Sequence, residues 1–95
     1  MRDTRFTQHL ERMRAIHATK NQDYATADDP YSNFKAAAQT AGISVDQVFA
    51  TLLGVKLARL RELMDGRSPN HESVDDSLLD LSVYAALWAS FRTQR

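Results

Sequence analysis

Residues 44–64 read SVDQVFATLLGVKLARLRELM. Ser44 followed three positions later by Gln47 has the reciprocal pattern of a capping box, and Ile43 and Val48 occupy the staple positions around it. A helix therefore starts at 44. At 100° per residue Phe49, Leu52, Leu53, Leu60 and Leu63 fall on one stripe, which carries that helix to about Met64, and Lys56 lies at the centre of the stripe. A lysine there needs either a stem that snorkels to water or an anion on the facing surface, because an unpaired buried ammonium costs several kcal/mol.

Moving outward toward the C-terminus, Asp65-Gly66-Arg67-Ser68-Pro69-Asn70 is a turn by composition, and a second long helix runs from about Glu72 to Arg92. Its acids Glu72, Asp76 and Asp80 recur at i, i+4, i+8 and lead into apolar Val83 and Leu87. An antiparallel hairpin centred near Ser68 sets residues whose numbers sum to about 136 at one level. Lys56 then faces Asp80, and Arg59 comes beside Asp76 or Ser77. Two readings of this seam stay open. Ion pairs can fix the register of the two helices, or Lys56 and Arg59 can hold a phosphate while Glu72, Asp76 and Asp80 hold Mg²⁺, which prefers oxygen ligands.

Toward the N-terminus, Gly42 is placed as the C-terminal stop of a short helix from Pro30 to about Thr40, which buries Tyr31, Phe34 and Ala38. Asp29-Pro30 suits its start, with Asp29 as cap and proline in the first turn. Residues 21–29 are small and polar and read as a loop. A first helix runs from about Thr4 to Lys20, with Phe6, Leu10, Met13 and Ile16 at helical spacing. The expectation is a single all-α domain over residues 1–95, a four-helix bundle-like arrangement of helices at about 4–20, 30–40, 44–64 and 72–92 with short turns and antiparallel neighbours.

Composition limits the functional classes. The chain has 95 residues, 12 basic and 12 acidic side chains and no cysteine. Zero net charge gives no global attraction to a nucleic-acid backbone or an anionic membrane, and the lack of cysteine removes disulfides and thiolate metal sites. No apolar run approaches the ~20 residues that span a bilayer, and the N-terminal stretch has no apolar core of a signal peptide. A cytoplasmic protein is expected, with no membrane partner.

Three further signals are weaker. His9, His17 and His71 lack a ligand spacing and read as packed or capping residues, with His71 a minor candidate beside Glu72. The last helix is apolar on two sides, Val74, Leu78, Leu81, Ala85 and Trp88 on one and Val83 and Leu87 on the other, so a homo-oligomer through that helix is expected. Ala38, Gly42 and Val48 sit at helix-turn-helix spacing. The recognition positions would come from Val45, Asp46, Gln47, Phe49 and Thr51, with no basic residue before Lys56, so nucleic acid is not expected as a partner.

The order Lys20-Asn21-Gln22-Asp23-Tyr24, Asn33-Phe34, Lys56-Leu57-Ala58-Arg59-Leu60 and His71-Glu72-Ser73-Val74-Asp75-Asp76-Ser77-Leu78-Leu79-Asp80-Leu81 with Tyr84-Ala85 resembles a family of small phage and prophage helical proteins, the type 1 nucleotide modification associated domain. The likeness covers about residues 16–89. It implies nucleotide handling, in nucleotide metabolism or DNA-base modification, in the host cytoplasm if phage-encoded. It also implies nucleotide-binding roles for Lys20, Asp23, Tyr24, Asn33, Lys56 and Arg59. In that reading Tyr24 stacks on a base, Asp23 and Asn33 read a base or ribose edge, and the three cations hold phosphates.

The architecture is also similar to MazG-type all-α nucleoside triphosphate pyrophosphatases, which hold Mg²⁺ between paired acidic motifs. Here the sequence departs from that pattern: Lys56-Leu57-Ala58-Arg59 stands where a Glu-x-x-Glu pair is needed, leaving Glu62 alone, and the second motif is spaced Asp76-x-x-x-Asp80. Binding therefore carries over better than hydrolysis. The alternative is a non-enzymatic, homo-oligomeric interaction protein, for example a phage factor that binds a host protein or evades immunity.

Overall fold

Four helices form in the order α1 (Thr4–Tyr24), α2 (Ser32–Ala41), α3 (Val45–Met64) and α4 (Val74–Thr93). The computed structural model describes residues 4–24, 29–66 and 73–93, with side chains from 4–18, 29–66 and 73–93. The all-α, bundle-like expectation holds. Among the described residues no single helix is long and apolar enough to cross a membrane.

The local signals act where they were expected. The Gln47 N–H donates to Ser44 Oγ at 3.0 Å and the Ser44 N–H to Gln47 Oε1 at 2.9 Å, closing the capping box at the start of α3. Gly42 ends α2 in the left-handed region, φ 71°, and the Ile43 N–H reaches back to the Ala38 carbonyl at 3.0 Å. That six-residue return satisfies a carbonyl the helix would otherwise leave open.

Three boundaries differ from the sequence reading. α1 continues through Tyr24 rather than ending near Lys20, because residues 21–24 contain poor helix formers but no Gly or Pro to break it. α2 starts at Ser32, two residues after Pro30; the Asp29 carboxylate accepts the Tyr31 N–H at 2.9 Å and pairs with Lys35 Nζ at 2.7 Å. Asp29 therefore organises the turn that precedes α2. α4 starts at Val74 rather than at Glu72, and Ser73 caps it. The Asp76 N–H donates to Ser73 Oγ at 3.0 Å, and Asp76 Oδ2 lies 3.4 Å from the Ser73 nitrogen.

Packing sets the topology. α3 and α4 are antiparallel, since Lys56 meets Asp80, and Asp46 meets both Trp88 and Arg92. These pairs bracket the register expected for a hairpin centred near residue 68. α1 runs parallel to α4, because His9 bonds Ser82 at 3.3 Å while Met13 and His17 lie against Ala86, Leu87 and Ser90. α2 meets α3 at 95°. The long helices are thus up, down and up, with α2 laid across one end, and antiparallel neighbours hold only for α3 and α4.

The core is an aromatic cluster where α2, α3 and α4 meet. Phe49 is fully buried, stacked on Phe34 at 4.5 Å and near-parallel to Trp88 at 6.1 Å, and Tyr31 packs edge-on to Phe91 at 5.5 Å. Because the Ser90 hydroxyl donates to the Leu87 carbonyl, its oxygen accepts from the Tyr31 hydroxyl at 2.7 Å. Burial of Phe49 alone stabilises the domain by roughly 2–3 kcal/mol.

Candidate functional site

The seam closes on itself. Lys56 Nζ lies 2.8 Å from Asp80 Oδ2, and the two side chains are only 14% and 21% exposed. Such a pair tolerates loss of neither partner, because the survivor would be a largely desolvated charge. Asp76, one turn earlier on α4, is exposed and engaged in the cap with Ser73. Arg59 is half-buried on α3, three residues beyond Lys56. Glu72 and His71 lie outside the described residues, as do the side chains of Lys20, Asp23 and Tyr24.

A Mg²⁺ cage does not assemble from the described acids. Asp80 has given one oxygen to an ammonium, Asp76 caps its own helix, and among the described residues no three His, Asp or Glu converge.

Beside the Lys56–Asp80 pair, with Asp80 on its wall, lies a cavity of about 230 Å³. Its walls come as i, i+4 pairs from three helices: Asn33 and Ala37 of α2, Val48 and Leu52 of α3, Asp80 and Tyr84 of α4. That spacing is what places two side chains of one helix on one wall. Phe34 forms an aromatic wall held by its stack on Phe49, and His17 contributes from α1. Of the residues singled out from sequence, Asn33 and Asp80 meet here, with Lys56 attached through its ion pair.

The walls are mostly apolar, yet three polar side chains on them are uncommitted. Among the described residues, the exposed Asn33 amide and the half-buried His17 imidazole and Tyr84 hydroxyl have no side-chain hydrogen-bond partner, whereas half-buried His9 and Trp88 and buried Tyr31 and Ser77 are paired. From sequence His17 reads as a packed or capping residue, and Tyr84 enters only within the family pattern. The signal that could have found them is the parallel course of α1 and α4, which sets His17 near Leu87, and the i, i+4 step from Asp80 to Tyr84.

No family model, curated protein or solved structure matches the chain.

A helix-turn-helix reading of α2 and α3 meets a charge problem. The 95° crossing of α2 and α3 falls in the range of that motif. At the start of α3, however, Phe49 is buried and Asp46 holds Trp88 and Arg92, so the exposed positions are Gln47, Ala50 and Thr51. None of these carries the positive charge that phosphate contacts require.

Proposed function

We propose that this chain binds a nucleotide, with the base in the cavity between α1, α2, α3 and α4. The observation that carries the reading is the set of three uncommitted polar side chains, Asn33, His17 and Tyr84, on otherwise apolar walls with a fixed aromatic face at Phe34. A flat heteroaromatic ring offers the matching surface: an apolar face for Phe34 and a hydrogen-bonding edge for the amide, imidazole and hydroxyl. The volume of about 230 Å³ is below the usual range for drug-sized ligands, so it suits the base and leaves ribose and phosphates outside.

A phosphate beside Asp80 meets Lys56 and competes with the carboxylate for its ammonium. Arg59 and Lys20 are the further cations that the resemblance to the nucleotide modification associated domain assigns. The same resemblance supports a role in nucleotide metabolism or DNA-base modification. The proposal stops at binding, because α3 carries Lys56 and Arg59 where the MazG-type enzymes carry paired glutamates.

A thermal-shift panel of modified and unmodified deoxynucleotides at each phosphate level, with and without Mg²⁺, tests the reading. At a ligand concentration ten times Kd the melting temperature should rise by roughly 6–11 °C. Asn33→Ala should abolish the rise while leaving the ligand-free melting temperature within about 2 °C, since Asn33 is exposed and unpaired. No rise with any member of the panel would sink the proposal and leave the non-enzymatic interaction protein as the standing alternative.

A further inference from the structure

Among the described residues four polar side chains stand on the cavity walls, and three of them adapt to what they meet. The Asn33 amide carries both a donor and an acceptor, the His17 imidazole presents one nitrogen of each kind, and the Tyr84 hydroxyl serves in either role. Asp80 is different. Paired with the Lys56 ammonium at 2.8 Å, it is a carboxylate, which accepts hydrogen bonds and donates none. The Lys56 contact goes to Oδ2, and a carboxylate offers about four lone-pair sites, so the ion pair does not exhaust what Asp80 can accept.

The remaining walls do not discriminate by polarity. Phe34 offers a face on which any base stacks, because every base has a π-face. Val48, Leu52 and Val83 respond to shape alone. Fixed polarity therefore sits at one point of the cavity, the Asp80 carboxylate. Its side chain is only 21% exposed, so little water separates it from a group brought against it. A donor placed there replaces hydration lost on entry, whereas a second acceptor leaves two like partial charges facing each other.

We infer that Asp80 selects among bases, a selection that rests on the nucleotide reading above: rings bearing an exocyclic amino group are favoured over rings with a carbonyl in its place. Cytosine, adenine and guanine each carry an amino group that can donate to the carboxylate. In a nucleotide, uracil and thymine keep one N–H, flanked by two carbonyl oxygens, so turning that donor to Asp80 brings an acceptor toward it as well. Acceptance from the cytosine amino group by an acidic side chain is the same pairing that reads this base in a DNA groove. Lys56 adds to the preference. A phosphate that draws the ammonium away leaves the carboxylate short of a donor, and the amino group supplies one.

Isothermal titration calorimetry of the full chain with two matched pairs tests the selection: deoxycytidine against deoxyuridine monophosphate, and deoxyadenosine against deoxyinosine monophosphate. Within each pair an amino group is exchanged for a carbonyl while ring size, stacking and phosphate stay nearly constant. The amino member of whichever pair fits the cavity should bind at least about tenfold tighter, the effect of one hydrogen bond to a charged acceptor. Asp80→Asn, which can donate as well as accept, should bring the ratio within about threefold. If that variant alone fails to fold, adding Lys56→Met removes the ammonium it strands, and the same ratio is read in the double variant. Equal affinity within both pairs, or a preference for the carbonyl member, overturns the selection and leaves nucleotide binding standing. A preference that survives Asp80→Asn unchanged overturns the role of Asp80. Binding of none of the four overturns the selection together with the nucleotide reading.

Discussion

Asp46 and Trp88 hold the far end of the α3/α4 hairpin together. The Trp88 indole N–H donates to Asp46 Oδ1 at 2.7 Å, and Arg92 reaches the other carboxylate oxygen at 3.0 Å. One carboxylate in the first turn of α3 thereby satisfies a half-buried indole and a cation in the last turn of α4, with the positive end of the α3 dipole favouring its charge.

Asp46→Ala should destabilise the domain by about 1–3 kcal/mol, because it strands the Trp88 N–H as well as removing the charge. Asp46→Asn keeps an acceptor for the indole and should cost less, about 1 kcal/mol. Urea unfolding followed by Trp88 fluorescence measures both. Equal losses for the two variants would mean that the indole bond contributes nothing separable.

The Lys56–Asp80 pair predicts non-additivity. Either Lys56→Met or Asp80→Leu alone should cost about 2–4 kcal/mol, near the range for breaking buried pairs and reduced for the partial exposure of both groups. The double variant should recover most of that loss, since the apolar pair leaves no charge unpaired. Additive losses in a denaturant double-mutant cycle would contradict the pairing.

Glycines 42 and 54 should respond with opposite signs. Gly42 holds φ 71°, where a Cβ is strained, so Gly42→Ala should destabilise by about 1–2 kcal/mol. Gly54 is in the middle of α3, and an added Cβ there meets nothing within 4 Å. Gly54→Ala should therefore stabilise by about 0.5–1 kcal/mol. Thermal unfolding of the two variants side by side reads the sign directly.

The Asp29 carboxyl is held below the ordinary carboxylate range, chiefly by its hydrogen bond from Lys35 and then by the Tyr31 N–H. A depressed folded value means that its contribution is present above the unfolded value of about 3.9 and is lost as pH falls through the lower folded value. An NMR titration should place the Asp29 midpoint below that of a free aspartate, and Lys35→Met should move it upward. A midpoint at or above the free value, or one that Lys35→Met leaves in place, would contradict the contact.

What could be read from sequence was local or followed from one turn. The capping box at Ser44 and Gln47 involves residues three apart, so its bonds need no knowledge of the rest of the chain. The facing of Lys56 and Asp80 needed only the centre of the turn near residue 68, and 2.8 Å between them matches it. The same arithmetic places Asp46 between the levels of Trp88 and Arg92, a contact that a helix start rich in capping signals obscures. The parallel course of α1 and the crosswise α2 depend on packing between residues far apart, as His9 with Ser82 and Tyr31 with Ser90 show. No periodicity encodes those directions. The cavity was hidden for the same reason: Asn33 was legible only through the family resemblance, and His17 and Tyr84 become site residues only once α1 lies beside α4.

If the chain binds a nucleotide as proposed, a base enters the cavity bounded by Asn33, Phe34 and Tyr84. A titration of the isotope-labelled chain with deoxynucleotides, followed through the Asn33 side-chain amide, the Tyr84 ring and the Val48 and Val83 methyl groups, measures it most directly. Saturable shifts concentrated on these groups are expected, with the Asn33 amide most affected. Shifts absent from this set with every nucleotide, or confined to the exposed α3/α4 face around Leu57 and Leu78, would contradict it.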